Sequence, residues 1–136
     1  MDALWYESYM DLPWKLGGRD RKGLDCWGLV RLVYKEQLNI ELPSFLDDPH
    51  ALDITVFGRS KAFKSHVSEF DPVPRGEEKP FDIAAMILGG SLWHVGILVK
   101  KPCLILHIED EEGCKIEDWG RREDFLQQFG GCYRVR

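Results

Sequence analysis

Long apolar runs are missing from this sequence of 136 residues. The longest candidates, around Ile83–Leu88 and Leu104–Leu106, are strand-sized and fall far short of the ~18 residues that cross a bilayer. No membrane contact is expected. The opening Met1-Asp2-Ala3-Leu4-Trp5 lacks the basic and apolar regions of a secretory signal, which predicts synthesis in the cytoplasm without an export address. Positive charge is also in short supply. Lys+Arg number 18 against 23 Asp+Glu, a net charge of -5, whereas nucleic-acid-binding domains are normally basic. The four cysteines, Cys26, Cys103, Cys114 and Cys132, show no C-x-x-C pair and no zinc-ligand spacing with the histidines. Without a signal a disulfide framework is not expected; four thiols in a reducing compartment are.

What is present suits one conventional core. Hydrophobic residues make up 44% of the chain, and this length fits a single domain over residues 1–136. No repeat or low-complexity tract divides it. The Pro- and charge-rich stretch Asp71–Pro80 reads as a loop rather than a domain boundary. Before it helical spacing dominates, and after it short strand-like runs do.

The clearest helix begins near Asp25, an N-cap residue type. Cys26, Leu29, Val30 and Val33 follow at i, i+3, i+4 and i+7, an apolar stripe with Arg31, Lys35 and Glu36 on the other side. A second helix is predicted over about Ser60–Glu69, and weaker ones over Asp2–Met10 and Glu123–Phe129. Strands are predicted at about Ile83–Leu88, Trp93–Val99, Leu104–Glu109, Lys115–Glu117 and Tyr133–Val135. Helices first and a strand meander afterwards give an α+β fold with an antiparallel sheet.

Cys26 is the focal residue. A helix start offers unpaired N–H groups and the positive end of the dipole, which lower a thiol pKa from ~8.5 toward about 3.5–7.5. The preceding Lys15, Arg19, Arg21 and Lys22 add a positive loop. The plainer reading is a small buried cysteine that caps the core stripe. Downstream, His94 and His107 each lie inside an otherwise apolar strand. One such histidine is an ordinary core residue; two on neighbouring strands fit a nucleophile, a base and an orienting group. His50 and His66 have polar settings. A zinc site built from Cys26, His94 and His107 competes for the same residues, without paired ligand spacing to support it.

Three ordered blocks, Tyr9–Gly18, Gly23–Val30, and Phe81-Asp-Ile with His94-Val-Gly-Ile97, closely resemble the NlpC/P-sixty superfamily of cysteine peptidases. Leu32-Val-Tyr34 and Ile40–Pro43 look most like its phage and prophage tail-assembly branch. The resemblance implies a papain-like fold and hydrolysis of peptidoglycan stem peptides between γ-D-glutamate and a diamino acid. It implies Cys26 as nucleophile, His94 as base and His107 as orienting residue, with no cofactor and no metal. Trp14 stands where the family commonly has an oxyanion-holding tyrosine, and an indole N–H can donate one hydrogen bond. Asp25 and Trp27 stand at positions of substrate recognition, Trp27 in place of a frequent small hydroxyl residue, while N-capping explains Asp25 equally well. Other phage tail proteins are the implied partners, and the virion tail the implied location. The other readings are a tail-tip assembly module with an unused triad, and an intracellular amidase or acyltransferase.

Parity sets a condition on the two histidines. Side chains alternate along a strand and directly opposed residues share a face. His94 and His107 share a face only if paired residue numbers add to an odd constant, which requires an even loop. A three-residue loop would separate them unless a bulge intervenes. Val95, Ile97, Val99 and Trp93 then point away from the site.

Overall fold

The computed structural model describes residues 4–44, 70–88, 91–110 and 112–135. The helix expected over Ser60–Glu69, together with His50 and His66, lies outside the described residues.

Helix α1 (Cys26–Leu38) starts where the capping residue places it. The Asp25 carboxylate accepts from the Gly28 N–H at 2.8 Å, satisfying a donor the helix leaves unpaired. Asn39 in the left-handed conformation ends it, returning its N–H to the Tyr34 carbonyl. Leu29, Val30 and Val33 are fully buried, as the stripe predicts. A loop folds over the helix start: a Cβ at Gly28 would collide with the Gly18 carbonyl oxygen, so only glycine permits this approach. That loop holds a two-residue hairpin missed in the sequence, β1 (Arg19–Asp20) and β2 (Gly23–Leu24).

Six further strands form one antiparallel sheet: β3 (Phe70–Pro72), β4 (Ile83–Leu88), β5 (Ser91–Lys100), β6 (Leu104–Glu109), β7 (Gly113–Asp118) and β8 (Phe129–Val135). Their spatial order is β3-β8-β4-β5-β6-β7. Helix α2 (Glu123–Gln128) precedes β8. Among the described residues of the helix expected over Asp2–Met10, a short 3-10 turn, Glu7–Tyr9, stands instead. Trp5 there packs on Tyr9 and Phe81, no side chain caps the turn, and Asp11 at φ 66° redirects the backbone. The segment Asp71–Pro80 is not all loop, because Phe70–Pro72 pairs with β8. Pro72 is tolerated there because, among the described residues, β3 is an edge strand with no second neighbour to need its missing N–H.

The sheet carries a core on each face. Val95, Ile97, Leu106, Ile108 and Cys114 pack with α1. Met86, Leu98, Ile105, Cys132 and the fully buried Trp119 form the second cluster. The alternation of the sheet sends His94 and His107 to that second face, since His94 opposes Met86 and Ile105 lies two residues from His107.

Candidate active site

The turn between β5 and β6 has three residues, Lys101–Cys103, after the pair Lys100↔Leu104. By itself it would place the two histidines on opposite faces. The ladder slips between Leu98 and Lys100, so Leu98 pairs with Ile105 and Ile97 with Leu106. The extra residue, Val99, makes the paired numbers add to an odd constant, and one bulge restores the shared face. His94 Nε2 then lies 3.1 Å from His107 Nδ1. Val95 and Ile97 point the other way, into the α1 core. Gly96 makes the contact possible. A Cβ there would meet Ile105 Cγ2 at 2.6 Å, the Leu106 oxygen at 2.9 Å and His107 Cβ at 3.0 Å.

His107 Nε2 lies 2.7 Å from Glu117 Oε1 on β7. Arg122 Nη1 reaches both Glu117 oxygens at 3.1 Å, and Lys115 Nζ lies 3.4 Å from Oε1. Burial pulls the Glu117 pKa upward, but hydrogen bonds from His107 and Arg122 outweigh it and hold the carboxyl below its ordinary range. Glu117 is therefore an acceptor only. His107 is fully buried, and desolvation pushes its pKa from 6.5 down to about 4 despite the carboxylate. At neutral pH its single proton sits on Nε2, facing Glu117. Nδ1 must then accept, so His94 donates from its own Nε2. On this assignment the lone pair of His94 that can take a proton is that of Nδ1. With Glu117 as the acceptor, the network assigns one tautomer to each ring. Trp119 packs edge-on against His107, centroids 5.3 Å apart, and 6.0 Å from His94, which holds both imidazoles in place.

Cys26 opens α1, the helix that packs on β5 and β6. It is half-buried at the rim of the helix–sheet core. No disulfide joins any of the four cysteines. Cys103, Cys114 and Cys132 are all buried, and desolvation raises each thiol pKa, to about 12 for Cys114 and Cys132.

Trp14 is half-buried rather than deep in the core. It bridges Leu24 in parallel, two residues before Cys26, and packs on the same rim. Asp25 and Trp27, expected at substrate, both make structural contacts. Asp25 Oδ2 accepts from the Gly17 N–H at 2.9 Å and Oδ1 from Arg19 at 2.6 Å, besides the helix cap. Trp27 is 6% exposed, donates its indole N–H to the Pro43 carbonyl at 2.8 Å and meets Phe70 edge-on. The positive loop is also less open than its sequence suggests. Arg19 is spent on Asp25 and the Ser44 carbonyl, and Arg21 on Glu36 and Ser8. Lys15 and Lys22 are the exposed lysines of that loop.

Sequence reasoning missed Glu117 and Arg122. Their one signal was spacing, since Lys115 and Glu117 alternate on a strand next to that of His107. Among the described residues, His107, Glu109 and Glu117 bring possible metal-ligand atoms within 4.8 Å of one another. Lys115 already lies 2.8 Å from Glu109 and Arg122 on Glu117, so a cation would have to displace both. Also among the described residues, no helix is long and apolar enough to cross a membrane.

The NlpC/P60 family model matches residues 11–123. The chain belongs to the NlpC/P60 family. An Escherichia coli K12 relative, murein DD-endopeptidase MepS/murein LD-carboxypeptidase, is 40% identical over 38 residues, 28% of this chain. The match spans a fifth of that relative, 20% of its length. Among solved structures, the NlpC/p60 domain of peptidoglycan hydrolase SagA superposes with a TM-score of 0.62 at 20% identity, over 97% of this chain and 92% of that one. A lipoprotein-like NLP/P60 protein of Staphylococcus aureus gives a TM-score of 0.66 at 19% identity, over 96% of this chain and 39% of that one. At such identities the likeness shows the fold: NlpC/P60 papain-like, with a helix on an antiparallel sheet.

Proposed function

We propose that this NlpC/P60 chain is a cysteine hydrolase that cleaves peptidoglycan stem peptides at a γ-D-glutamyl–diamino acid bond. The observation that carries the reading is the His94–His107–Glu117 hydrogen-bonded chain, in a chain where Cys26, at the start of α1, is the one thiol of the four that is not buried. The Cys26 thiol gives its proton to His94 Nδ1 and its sulfur attacks the amide carbonyl. The oxyanion is met at the helix start, with the Trp14 indole N–H as the side-chain donor. His94 returns the proton to the leaving amine and a thioester remains. Water, deprotonated by His94, then attacks the thioester, releasing the acid and regenerating the thiol. His107 holds His94 in the required tautomer throughout, and no metal or other cofactor takes part.

The relatives' names, murein endopeptidase and peptidoglycan hydrolase, support a wall-peptide substrate. The likeness of Leu32-Val-Tyr34 and Ile40–Pro43 to tail-assembly members supports delivery by a phage or prophage tail, with tail proteins as partners. The test is incubation of wild type and Cys26→Ala with purified muropeptides, and mass-spectrometric identification of the cleaved bond. Cleavage by wild type alone supports the hydrolase. No cleavage by either supports a tail-assembly module with an unused triad.

A further inference from the structure

Glu117 sits where a fourth member of the proton chain belongs. The groups that face His107 are His94 on β5, Glu109 on its own strand, Lys115 and Glu117 on β7, and Trp119 and Arg122 beyond it. Glu112 at the β6–β7 turn reaches the cluster through Lys115 at 2.8 Å. Lys115 also lies 2.8 Å from Glu109. Against the lowering pull of burial, the carboxylates keep Lys115 charged. Of all these groups, Glu117 holds the 2.7 Å contact to His107 Nε2.

We propose that Glu117 is a positioning residue: clamped by Arg122 and Lys115, it accepts the Nε2–H of His107, and through His107 it sets the tautomer of His94 and stabilises that ring when protonated. The inference rests on Cys26 as nucleophile and His94 as its base. Two consequences separate it from a purely structural ion pair. When His94 takes the Cys26 proton, the positive ring donates from Nε2 into His107 and so toward a negative charge, which favours the thiolate–imidazolium pair at low pH. When Glu117 is absent, the carboxylate that holds the His107 proton on Nε2 is lost. If it moves to Nδ1, two N–H groups face each other across 3.1 Å, and His94 must turn or exchange its own tautomer. The Arg122 clamp matters because it pins both carboxylate oxygens, leaving Glu117 one rotamer and His107 one orientation.

The experiment compares wild type, Glu117→Leu, Glu117→Gln and His94→Ala. Iodoacetamide alkylation of Cys26 is followed by peptide mass spectrometry from pH 4 to 9, and imidazole nitrogen shifts are read by NMR. Wild type should be alkylated readily at pH 6, and His94→Ala should lose that low-pH limb. Glu117→Leu should lower the pH 6 rate by roughly 10²-fold, the lower end of what positioned acid–base groups supply. In that variant the nitrogen shifts of His107 should no longer report a single Nε2–H form. Glu117→Gln keeps an oxygen acceptor without the charge. It should keep the tautomer while losing about tenfold in rate at pH 6, the fraction owed to charge. If Glu117→Leu does not fold, the Gln variant carries the test alone. Unchanged alkylation profiles and tautomers in the Glu117 variants, with His94→Ala impaired, would overturn the inference and leave the triad standing. An unchanged profile in His94→Ala would instead sink the triad, and the nitrogen shifts alone would then decide whether Glu117 sets the tautomers.

Discussion

A histidine that is 0% exposed must be neutral or well paired, and His107 is both. Its folded pKa of about 4, against 6.5 in the open chain, has a sign that can be worked out. Between these values the unfolded chain binds a proton that the folded state refuses. Stability is therefore greatest above about pH 6.5 and falls as pH drops toward 4. The shift corresponds to about 3 kcal/mol across that window. Urea titrations at pH 7.5 and 5 should show the loss, and His107→Gln should show less of it. A variant with the full wild-type pH dependence would remove His107 as the cause. The thiols divide by the same physics. Cys26 should be alkylated at pH 6, while Cys103, Cys114 and Cys132, raised by burial, should stay unmodified until the protein unfolds. Peptide mapping after brief labelling checks it. Cys26, His94 and His107 were legible in the sequence because a thiol at a helix start and imidazoles in apolar strands are conspicuous. Glu117 was not, since a carboxylate between Lys115 and Asp118 reads as a solvated strand edge.

At the scale of elements, regular periodicity was legible and its interruptions were not. Strands β4 and β6 lie where alternation predicts, and α1 starts at its cap. The Val99 bulge decides the site, yet nothing in Ile97-Leu-Val-Lys100 marks it, because a register slip is a property of two strands together. Gly96 carries the trace of this arrangement in sequence. Gly96→Ala should cost about 1–3 kcal/mol by overpacking and lower activity beyond that loss, since the added methyl presses on His107. Melting and peptidase assays on the same preparation test this, and full activity in a destabilised variant would count against it. Asp25 ties Gly17 and Arg19 to the helix start. Asp25→Ala removes the cap and strands the Gly17 N–H and the Arg19 guanidinium, for about 3 kcal/mol. Asp25→Asn keeps an acceptor and should cost less than half as much. Denaturant midpoints compare the two.

At the scale of the whole molecule, the sheet joins segments that are distant in sequence. β8 lies between β3 and β4, a pairing that local patterns cannot announce, which is why the sequence reads Asp71 and Pro72 as the start of a loop. Asp82, just before β4, is 2% exposed and is gripped by Arg134 of β8 through two bonds of 2.8 Å. It also accepts from the Lys79 N–H at 2.9 Å. Both elements stand apart from the proton chain, which runs through β5, β6 and β7. Arg134→Ala leaves a buried carboxylate without its counter-charge, a more severe state than having neither group. The melting temperature should fall markedly in that single variant. In Asp82→Leu with Arg134→Leu it should recover part of the loss, because apolar pairs of similar bulk replace buried ion pairs at little net cost. The single substitutions should therefore be strongly non-additive. The pH profile of Cys26 alkylation should remain that of wild type in every variant still folded. An additive cycle would mean that the seam is held by strand pairing alone, and an altered profile would mean that strain at β8 reaches the imidazoles through β4 and β5.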